Sequence, residues 1–132
     1  YLLDMVSRVE QESQLTIQQQ LPPDLDEQLT SLPLREALYA IWQQALDNIQ
    51  RHAQASTVKI SLVLKAAQGH FSICDDGQGS SRVQRQEAMQ NGRFGLRSMQ
   101  IRLETIGGRL TFQSEPGQGS CVLGDFPLEQ QK

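Results

Sequence analysis

Two adjacent carboxylates followed by glycines end an apolar strand pattern in the segment HFSICDDGQGSS, residues 70–81. Asp75 stands at the predicted strand end, where a half-buried carboxylate can accept hydrogen bonds from a planar amine. Gly77 and Gly79 allow positive φ angles and let the backbone come close to a bound group. The same pattern is equally typical of an ordinary strand-to-turn exit, so this segment alone leaves both interpretations open.

A row of polar side chains lies along one edge of the helix predicted over about residues 33–53. Gln44, Asn48 and His52 are spaced four residues apart, which places two amides and an imidazole on one helix edge, with Arg51 beside them. Asn is a poor helix former, although polar residues in such positions most often only contact solvent. The core stripe of this helix comprises Leu34, Leu38, Ile41, Trp42, Ala45 and Ile49.

Two further glycine-rich segments are candidates for ligand contact. The pattern over residues 94–106 predicts a helix that follows Gly92 and Gly95 and ends at a glycine pair, and the N–H groups of such a helix start bind phosphate well. Gly117 and Gly119 lie in the loop EPGQGS, for which a simple hairpin turn is favoured when the loop is considered by itself. The apolar positions of the helix are Leu96, Met99, Ile101, Leu103 and Ile106.

The formal net charge of −3 argues against nonspecific nucleic-acid binding, which needs a basic surface. The charge is unevenly distributed, because the segment 82–109 holds six arginines and only two acids, Glu87 and Glu104. A local positive field suits an anionic ligand, although a solvated basic helix face explains any single arginine equally well. These arginines are Arg82, Arg85, Arg93, Arg97, Arg102 and Arg109.

The rest of the pattern predicts the elements that must position these segments. Ser31 is a plausible cap of the long helix, and a turn containing Gly69 is expected to join two strands as a hairpin. Residues 80–92 are polar and lack a core stripe, which indicates a mobile flap. The other predicted elements are a helix over residues 2–12, an edge strand over 16–21, a loop over 24–32, and strands over 57–65, 109–114 and 121–126.

The chain has 132 residues, 38% of them hydrophobic, so a single domain over residues 1–132 is expected. Cys74 and Cys121 fall in apolar strand patterns and are expected to be reduced core residues. No apolar run approaches the roughly 20 residues of a membrane span. Because the sequence begins without methionine, we expect it to be part of a longer protein. We also expect this part to be cytoplasmic and to make no membrane contact itself, whatever anchors its parent.

Four motifs stand in a fixed order: QALDNIQRHA on a helix, DDGQG at a strand exit, GRFGL at a helix start and PGQGS in a hairpin. Together they resemble the nucleotide-binding catalytic domain of sensor histidine kinases, within the wider ATPase class of gyrase, Hsp90 and MutL. The pattern GLRSMQIRLETIGG is similar to that of the nitrate-sensor and DesK-like subgroup. The resemblance covers about residues 2–127 and implies an α/β fold, a two-layer sandwich of the Bergerat type with a mixed sheet packed on helices.

By position, the resemblance implies an ATP site that also holds magnesium. Asn48 matches the asparagine that binds Mg²⁺ on the phosphates, and an amide oxygen suits this hard ion. Asp75 matches the carboxylate that accepts a hydrogen bond from the adenine amino group, while Arg51 and His52 match positions near phosphate. The further positions implied to contact nucleotide are Gly77, Gly79, Arg93, Gly95, Leu96, Gly117, Gly119 and Ser120.

The chain departs from the family pattern at two positions. Gln44 stands where the subgroup commonly has a glutamate four residues before the asparagine, and an amide cannot take a proton. A general-base role at this catalytic position is therefore in doubt. Arg93 stands where a glycine usually precedes Phe94, so the lid over the phosphates departs from the pattern as well.

The resemblance implies transfer of the γ-phosphoryl group of ATP to a histidine on dimerisation helices outside this chain, with a response regulator downstream. His52 lies in the implied nucleotide site and His70 at a strand start, so neither is a credible acceptor.

Three alternatives remain open. A serine kinase of the anti-sigma-factor type would share the fold and phosphorylate a partner protein. A degenerate or regulatory ATP-binding module is the second alternative, and in its purely structural form it would dock a partner without nucleotide. A gyrase-like or Hsp90-like ATPase is disfavoured, because it would use the glutamate that Gln44 replaces.

Overall fold

The computed structural model describes residues 1–92 and 95–128, so the predicted nucleotide contact of Arg93 lies outside the described residues, as do the side chains of Arg82 and Arg85. The helices are α1 (Leu2–Glu12), α2 (Leu25–Gln28), α3 (Leu32–Asn48), which continues into a π-helical turn (Ile49–Ala53), α4 (Arg82–Gln90) and α5 (Leu96–Thr105). The strands are β1 (Thr16–Gln20), β2 (Thr57–Lys65), β3 (Gln68–Asp75), β4 (Arg109–Glu115) and β5 (Gly119–Pro127).

The five strands form one mixed sheet in the order β1-β2-β3-β5-β4. β1 pairs with β2 in parallel, and the other neighbouring strands pair antiparallel. The predicted edge strand is confirmed, because β1 is the first strand of the sheet and pairs on one side only. β3 lies at the centre, so its last residue, Asp75, is flanked by β2 and β5.

One face of the sheet packs against the helices and forms the core. The alternation predicted for the strands places Ile60, Phe71 and Ile73 on this face, all nearly completely buried. Trp42 of α3 packs edge-on against Phe71, with ring centroids 5.6 Å apart. The opposite face carries polar partners, among them the hydrogen-bonded pair of His70 and Asp125. This is the two-layer α/β arrangement that the family resemblance implies.

The helix that carries the polar row begins as the sequence predicts. The Ser31 side chain accepts a hydrogen bond from the backbone N–H of Leu34 at 3.3 Å, and Pro33 lies in the first turn. The predicted stripe is buried, as expected. Its last turn, however, is π-helical and ends at Gln54 in the left-handed region, which widens the turn after Asn48.

The segment predicted as a flap contains a regular helix, α4. Ala88 is 5% exposed and anchors this helix, while Val83 is 62% exposed. Among the described side chains of this helix only Ala88 is buried, and one buried position gives no periodic stripe, so the sequence pattern did not reveal the helix. The mobility of the segment stays a prediction.

Three local predictions need correction. The hairpin turn between β2 and β3 is formed by Ala66 and Ala67, and Gly69 lies inside β3, where a Cβ would meet the Phe126 ring at 2.3 Å. The predicted loop before α3 contains the short helix α2. Ile101, predicted as a core position of α5, is 48% exposed.

The prediction of reduced cysteines is also wrong. Cys74 of β3 and Cys121 of β5 are directly paired across the sheet, with Cα atoms 4.1 Å apart, and they form a disulfide. The bond closes a separation of 47 residues. A single strand pattern does not reveal which residue will stand opposite, because the register between two distant strands is a tertiary property.

Candidate functional site

A cavity of about 600 Å³ opens between the end of β3, the end of α3 and the helices α4 and α5. Ile73, Phe112 and Val122 contribute apolar surface, and polar side chains converge on it from both layers. Size and lining match small-molecule sites, which span roughly 300–1,000 Å³. The predicted site residues that line the cavity are Asn48, His52, Asp75, Gly79, Leu96 and Ser120.

Asp75 presents a half-buried carboxylate to the cavity. The backbone N–H of Gly77 donates to its Oδ1 at 2.8 Å, and the backbone N–H of Ser120 also donates to this carboxylate. Burial raises the pKa of Asp75 above the ordinary value for aspartate, although both N–H groups oppose the rise. A carboxylate held in this way can accept a hydrogen bond from a planar amine in the cavity.

Gly77 allows the loop after β3 to lie directly against the end of α3. A Cβ at this position would lie 2.1 Å from the carbonyl oxygen of Ala53. The next residue, Gln78, donates from its backbone N–H to Ala53 O and from its side-chain Nε2 to His52 O, both at 2.8 Å. The loop after β3 and the π-helical turn are therefore in direct contact, through one backbone hydrogen bond and one bond from the Gln78 side chain.

The PGQGS loop contacts the same strand end from the side of β5. A Cβ at Gly119, whose φ is +82°, would lie 2.0 Å from the carbonyl oxygen of Asp75. Gly117 has a φ of +76° and its N–H donates to Gln78 O at 2.6 Å. The two glycines thus differ: Gly119 serves close approach of two backbones, whereas Gly117 forms the turn that was favoured from the sequence alone.

Asp76, to which the sequence assigned no role, joins the same loop to the start of β2. Its Oδ1 accepts hydrogen bonds from the backbone N–H groups of Ser56 at 2.8 Å and Thr57 at 2.9 Å. The bonds from Thr57 and Ser56 lower the pKa of Asp76 below its ordinary value. The two adjacent carboxylates therefore differ in environment, one facing the cavity and the other holding the loop.

The predicted row on α3 is present at its first two positions. Gln44 Nε2 donates to Asn48 Oδ1 at 3.2 Å. Asn48 lines the cavity, whereas Gln44 lies against Gly95, whose Cβ position would be 3.1 Å from the Gln44 carboxamide carbon. An amide oxygen has two lone pairs and is a ligand type that suits hard cations. Gly95, in the left-handed region, caps the start of α5.

Arg51 and His52, the two basic residues that follow Asn48, lie in different places relative to the cavity. His52 lines the cavity, but Arg51 pairs with Asp47 at 3.0 Å on the exposed side of the helix. This Arg51 position disagrees with a lining role near phosphate in the present conformation. Arg51 stands four residues after Asp47, the spacing at which side chains pair along one face of a helix, and this contact holds the guanidinium away from the cavity lining.

The expected positive field is not formed by the arginines of α5. Arg97 and Arg102 are exposed and line a separate groove between α3 and α5. They lie on the side of the helix away from the buried Met99 and Leu103. Among the described side chains of residues 82–109, no arginine lines the cavity, and the charged residue that lines it is Glu87 of α4.

Ser114 is a second residue to which the sequence assigned no role. It is buried, lines the cavity and makes hydrogen bonds to residues of both glycine loops. The available signal was its parity with Leu110 and Phe112, which puts a serine at an inward position of β4.

The sequence profile of histidine kinase-, DNA gyrase B- and HSP90-like ATPases matches residues 34–130. The chain belongs to this ATPase family. The match begins in the first turn of α3 and includes all four motifs, so the chain is an ATP-binding domain of this family.

Similar curated proteins are sensor histidine kinases. LiaS of Bacillus subtilis is 30% identical over 105 residues, covering 80% of this chain and 28% of LiaS. LnrJ of the same organism is 34% identical, with coverage of 81% and 25%. The nitrate/nitrite sensor protein NarQ of Escherichia coli is 34% identical, with coverage of 67% and 15%. This ATPase domain therefore spans about a quarter or less of the length of these relatives.

Solved histidine kinase structures share the fold. The blue-light activated histidine kinase EL346 of Erythrobacter litoralis superposes with a TM-score of 0.79 at 21% identity, over 99% of this chain and 42% of that chain. The Acinetobacter baumannii kinase AdeS gives 0.70 at 16% identity, over 97% and 61%. Among the described residues, no helix of this domain has the length and apolar character to cross a membrane.

Proposed function

We propose that residues 1–132 form a single ATP- and Mg²⁺-binding catalytic domain of a two-component sensor histidine kinase. In this proposal it donates the γ-phosphoryl group to a histidine on separate dimerisation helices, and a response regulator receives the group next. The domain acts in the cytoplasm, where ATP is available. The observation that carries the proposal is the placement of Asp75 and Asn48 on opposite layers of one cavity.

Asp75 recognises the base in this proposal. Two backbone N–H groups hold its carboxylate, which leaves acceptor capacity for the amino group of adenine. The apolar surface of Ile73 and Val122 nearby suits a planar heteroaromatic ring. Ser120, beside the carboxylate, offers a hydroxyl to the same group.

Asn48 is the residue that would hold magnesium. Its amide oxygen suits a hard cation that keeps most of its ligands as water and phosphate oxygens, so one protein ligand is sufficient. Gln44 orients this oxygen by donating a hydrogen bond to it. When bound, the ion would neutralise charge that develops on the phosphates. The start of α5 adds backbone N–H groups on the same side.

Gln44 is compatible with phosphoryl transfer and unsuited to hydrolysis. Hydrolysis requires a water to be oriented and deprotonated, and an amide cannot take the proton. An imidazole acceptor is already a nucleophile and needs no such base. We therefore expect this domain to hydrolyse ATP very slowly and to leave itself unphosphorylated.

The test is incubation of the domain with radiolabelled ATP and Mg²⁺, alone and with the dimerisation helices of its parent protein. Label is expected only on the helices, in acid-labile form, and Gln44→Glu is expected to raise phosphate release without raising transfer. Label on this domain, or acid-stable label on serine of a partner, would contradict the proposal.

Calorimetry separates binding from transfer. ATP is expected to bind in the absence of Mg²⁺ and more tightly in its presence. An unmodified domain that binds no nucleotide under either condition would instead support a degenerate docking module.

A further inference from the structure

We propose that Ser114 is a positioning residue for base recognition, acting through one hydroxyl that connects both glycine loops beneath Asp75. This inference rests on the proposed function, because it assigns the base to Asp75. Ser114 does not need to touch the nucleotide. Its role would be to fix the backbone donor that Asp75 requires.

Ser114 is 7% exposed, and its Oγ is the centre of a hydroxyl cluster formed with Ser80 and Ser120. It accepts from the Ser80 backbone N–H at 2.7 Å and donates to Gly119 O at 3.2 Å. The Ser80 and Ser120 hydroxyls lie 3.1 Å and 2.7 Å from the same atom. One polar atom therefore holds the exit of the β3 loop and the start of β5 together.

The Ser114 hydroxyl bridges backbone groups of the two loops. A serine hydroxyl both donates and accepts hydrogen bonds, so one atom can accept from the Ser80 N–H and donate to Gly119 O.

The cluster connects to Asp75 through the backbone. The Ser120 N–H donates to the Asp75 carboxylate, and Gly119 lies in direct contact with the Asp75 carbonyl oxygen. Displacement of the β5 start would weaken that donor and change the orientation of the carboxylate. On the other side, Ser80 precedes α4, which contributes Glu87 to the cavity.

A matched control exists elsewhere in the sheet. Ser61 and Ser72 form a second cross-strand hydroxyl pair at 2.6 Å, between β2 and β3, and neither residue lines the cavity. Ser72→Ala removes a serine hydroxyl contact of the same kind at a distance from the site. Ser114→Ala removes the centre of the hydroxyl cluster.

The experiment measures ADP binding by calorimetry without Mg²⁺ in both variants. Ser114→Ala is expected to weaken binding by about 5- to 30-fold, the loss that follows one broken buried hydrogen bond, and Ser72→Ala by less than about twofold. The additional gain in affinity from Mg²⁺ should stay unchanged in both. Equal affinities of the two variants would overturn the inference.

A double-mutant cycle separates positioning from general destabilisation. In an Asp75→Asn background, Ser114→Ala is expected to cost less than about threefold, because the residue through which it acts is already altered. Fully additive losses would overturn the proposed role.

If the Ser114→Ala variant does not fold, amide hydrogen exchange of the unmodified domain tests the proposed role of Ser114 instead. The Ser80 amide must be protected and must gain protection with ADP. Failed phosphoryl transfer with intact ADP binding would contradict the proposed function but would leave this inference standing.

Discussion

The two ends of the cavity are built differently. The end assigned to the base in our proposal consists of strand ends and loops held by backbone N–H groups, such as Gln78 N–H donating to Ala53 O and Gly77 N–H donating to the Asp75 carboxylate. The phosphate end consists of helix termini, where the described contacts are between side chains, such as Gln44 with Asn48. Backbone contacts leave few rotamers to order, so the base end is preformed, whereas the phosphate end depends on side chains that a ligand can reorient.

In the proposed function, this difference lets the domain hold adenine at a fixed position while its contacts to the phosphates change. Recognition of the base needs a fixed carboxylate and a fixed backbone, which the sheet supplies. Charge neutralisation at the phosphates must change during transfer, and groups on helix ends can follow that change. The Arg51 and Asp47 pair, which is exposed and about 3.0 Å apart, is the kind of contact that a phosphate could replace at little cost.

The largest effect is expected at the phosphate end. Asn48→Ala should lower phosphoryl transfer to the acceptor helices by at least about 100-fold, since the amide oxygen proposed for Mg²⁺ is lost. ADP binding without Mg²⁺ should remain within about threefold of the unmodified domain. Transfer assays and calorimetry measure the two quantities. An active Asn48→Ala variant would place the metal on another residue.

Removal of the disulfide tests whether the base end of the cavity needs a covalent bond between β3 and β5 to keep its structure. Reduction, or replacement of both Cys74 and Cys121 by serine, should lower the free energy of unfolding by about 2–4 kcal/mol, because the unfolded chain gains freedom. ADP affinity should change little, since hydrogen bonds already hold Asp75. Denaturant unfolding with and without dithiothreitol measures the stability. Unchanged stability would contradict a formed bond, and a large loss of affinity would contradict the preformed base end.

Asp75→Asn should weaken ATP binding by roughly 10- to 100-fold, because a hydrogen bond to a charged acceptor contributes about 1.5–3 kcal/mol. The loss should be the same with and without Mg²⁺, in contrast to Asn48→Ala. Asp76→Asn is the matched control on the neighbouring carboxylate, whose bonds go to the backbone of Ser56 and Thr57. Unchanged affinity of Asp75→Asn would contradict the assignment of the base.

The smallest expected effect is on pH dependence. Adenosine affinity should fall on acidification, beginning at a pH above the ordinary range of aspartate, because burial raises the pKa of Asp75. The fall should stay below about tenfold, since only the charge assistance of one bond is lost. Titration of adenosine binding measures it, and Asp75→Asn should abolish the dependence. A pH-independent affinity of the unmodified domain would contradict this prediction.

The same two carboxylates affect stability in opposite directions. The raised pKa of Asp75 means that its contribution is greatest at low pH and is lost as the pH rises through its folded value. The lowered pKa of Asp76 means that its contribution is present above the unfolded pKa and is lost as the pH falls through its folded value.

The sequence by itself was sufficient for the family, the α/β sandwich and the bounds of most elements. Helix periodicity, the Ser31 cap and strand alternation are local signals, and local signals decide where elements begin and end. The order of the four motifs was sufficient for the family and for ATP binding, and the family match confirms both. The roles of individual residues, Asn48 and Asp75 included, stay predictions.

The tertiary structure alone decided what depends on register and docking. The Cys74 and Cys121 pair and the hydroxyl cluster around Ser114 require β3, β4 and β5 to align, which no single segment encodes. The outward position of Arg51, where it pairs with Asp47, and the π-helical turn that follows α3 were not evident from a regular helical pattern. Helix α4 escaped prediction because Ala88 alone anchors it among its described buried positions, and one residue makes no period.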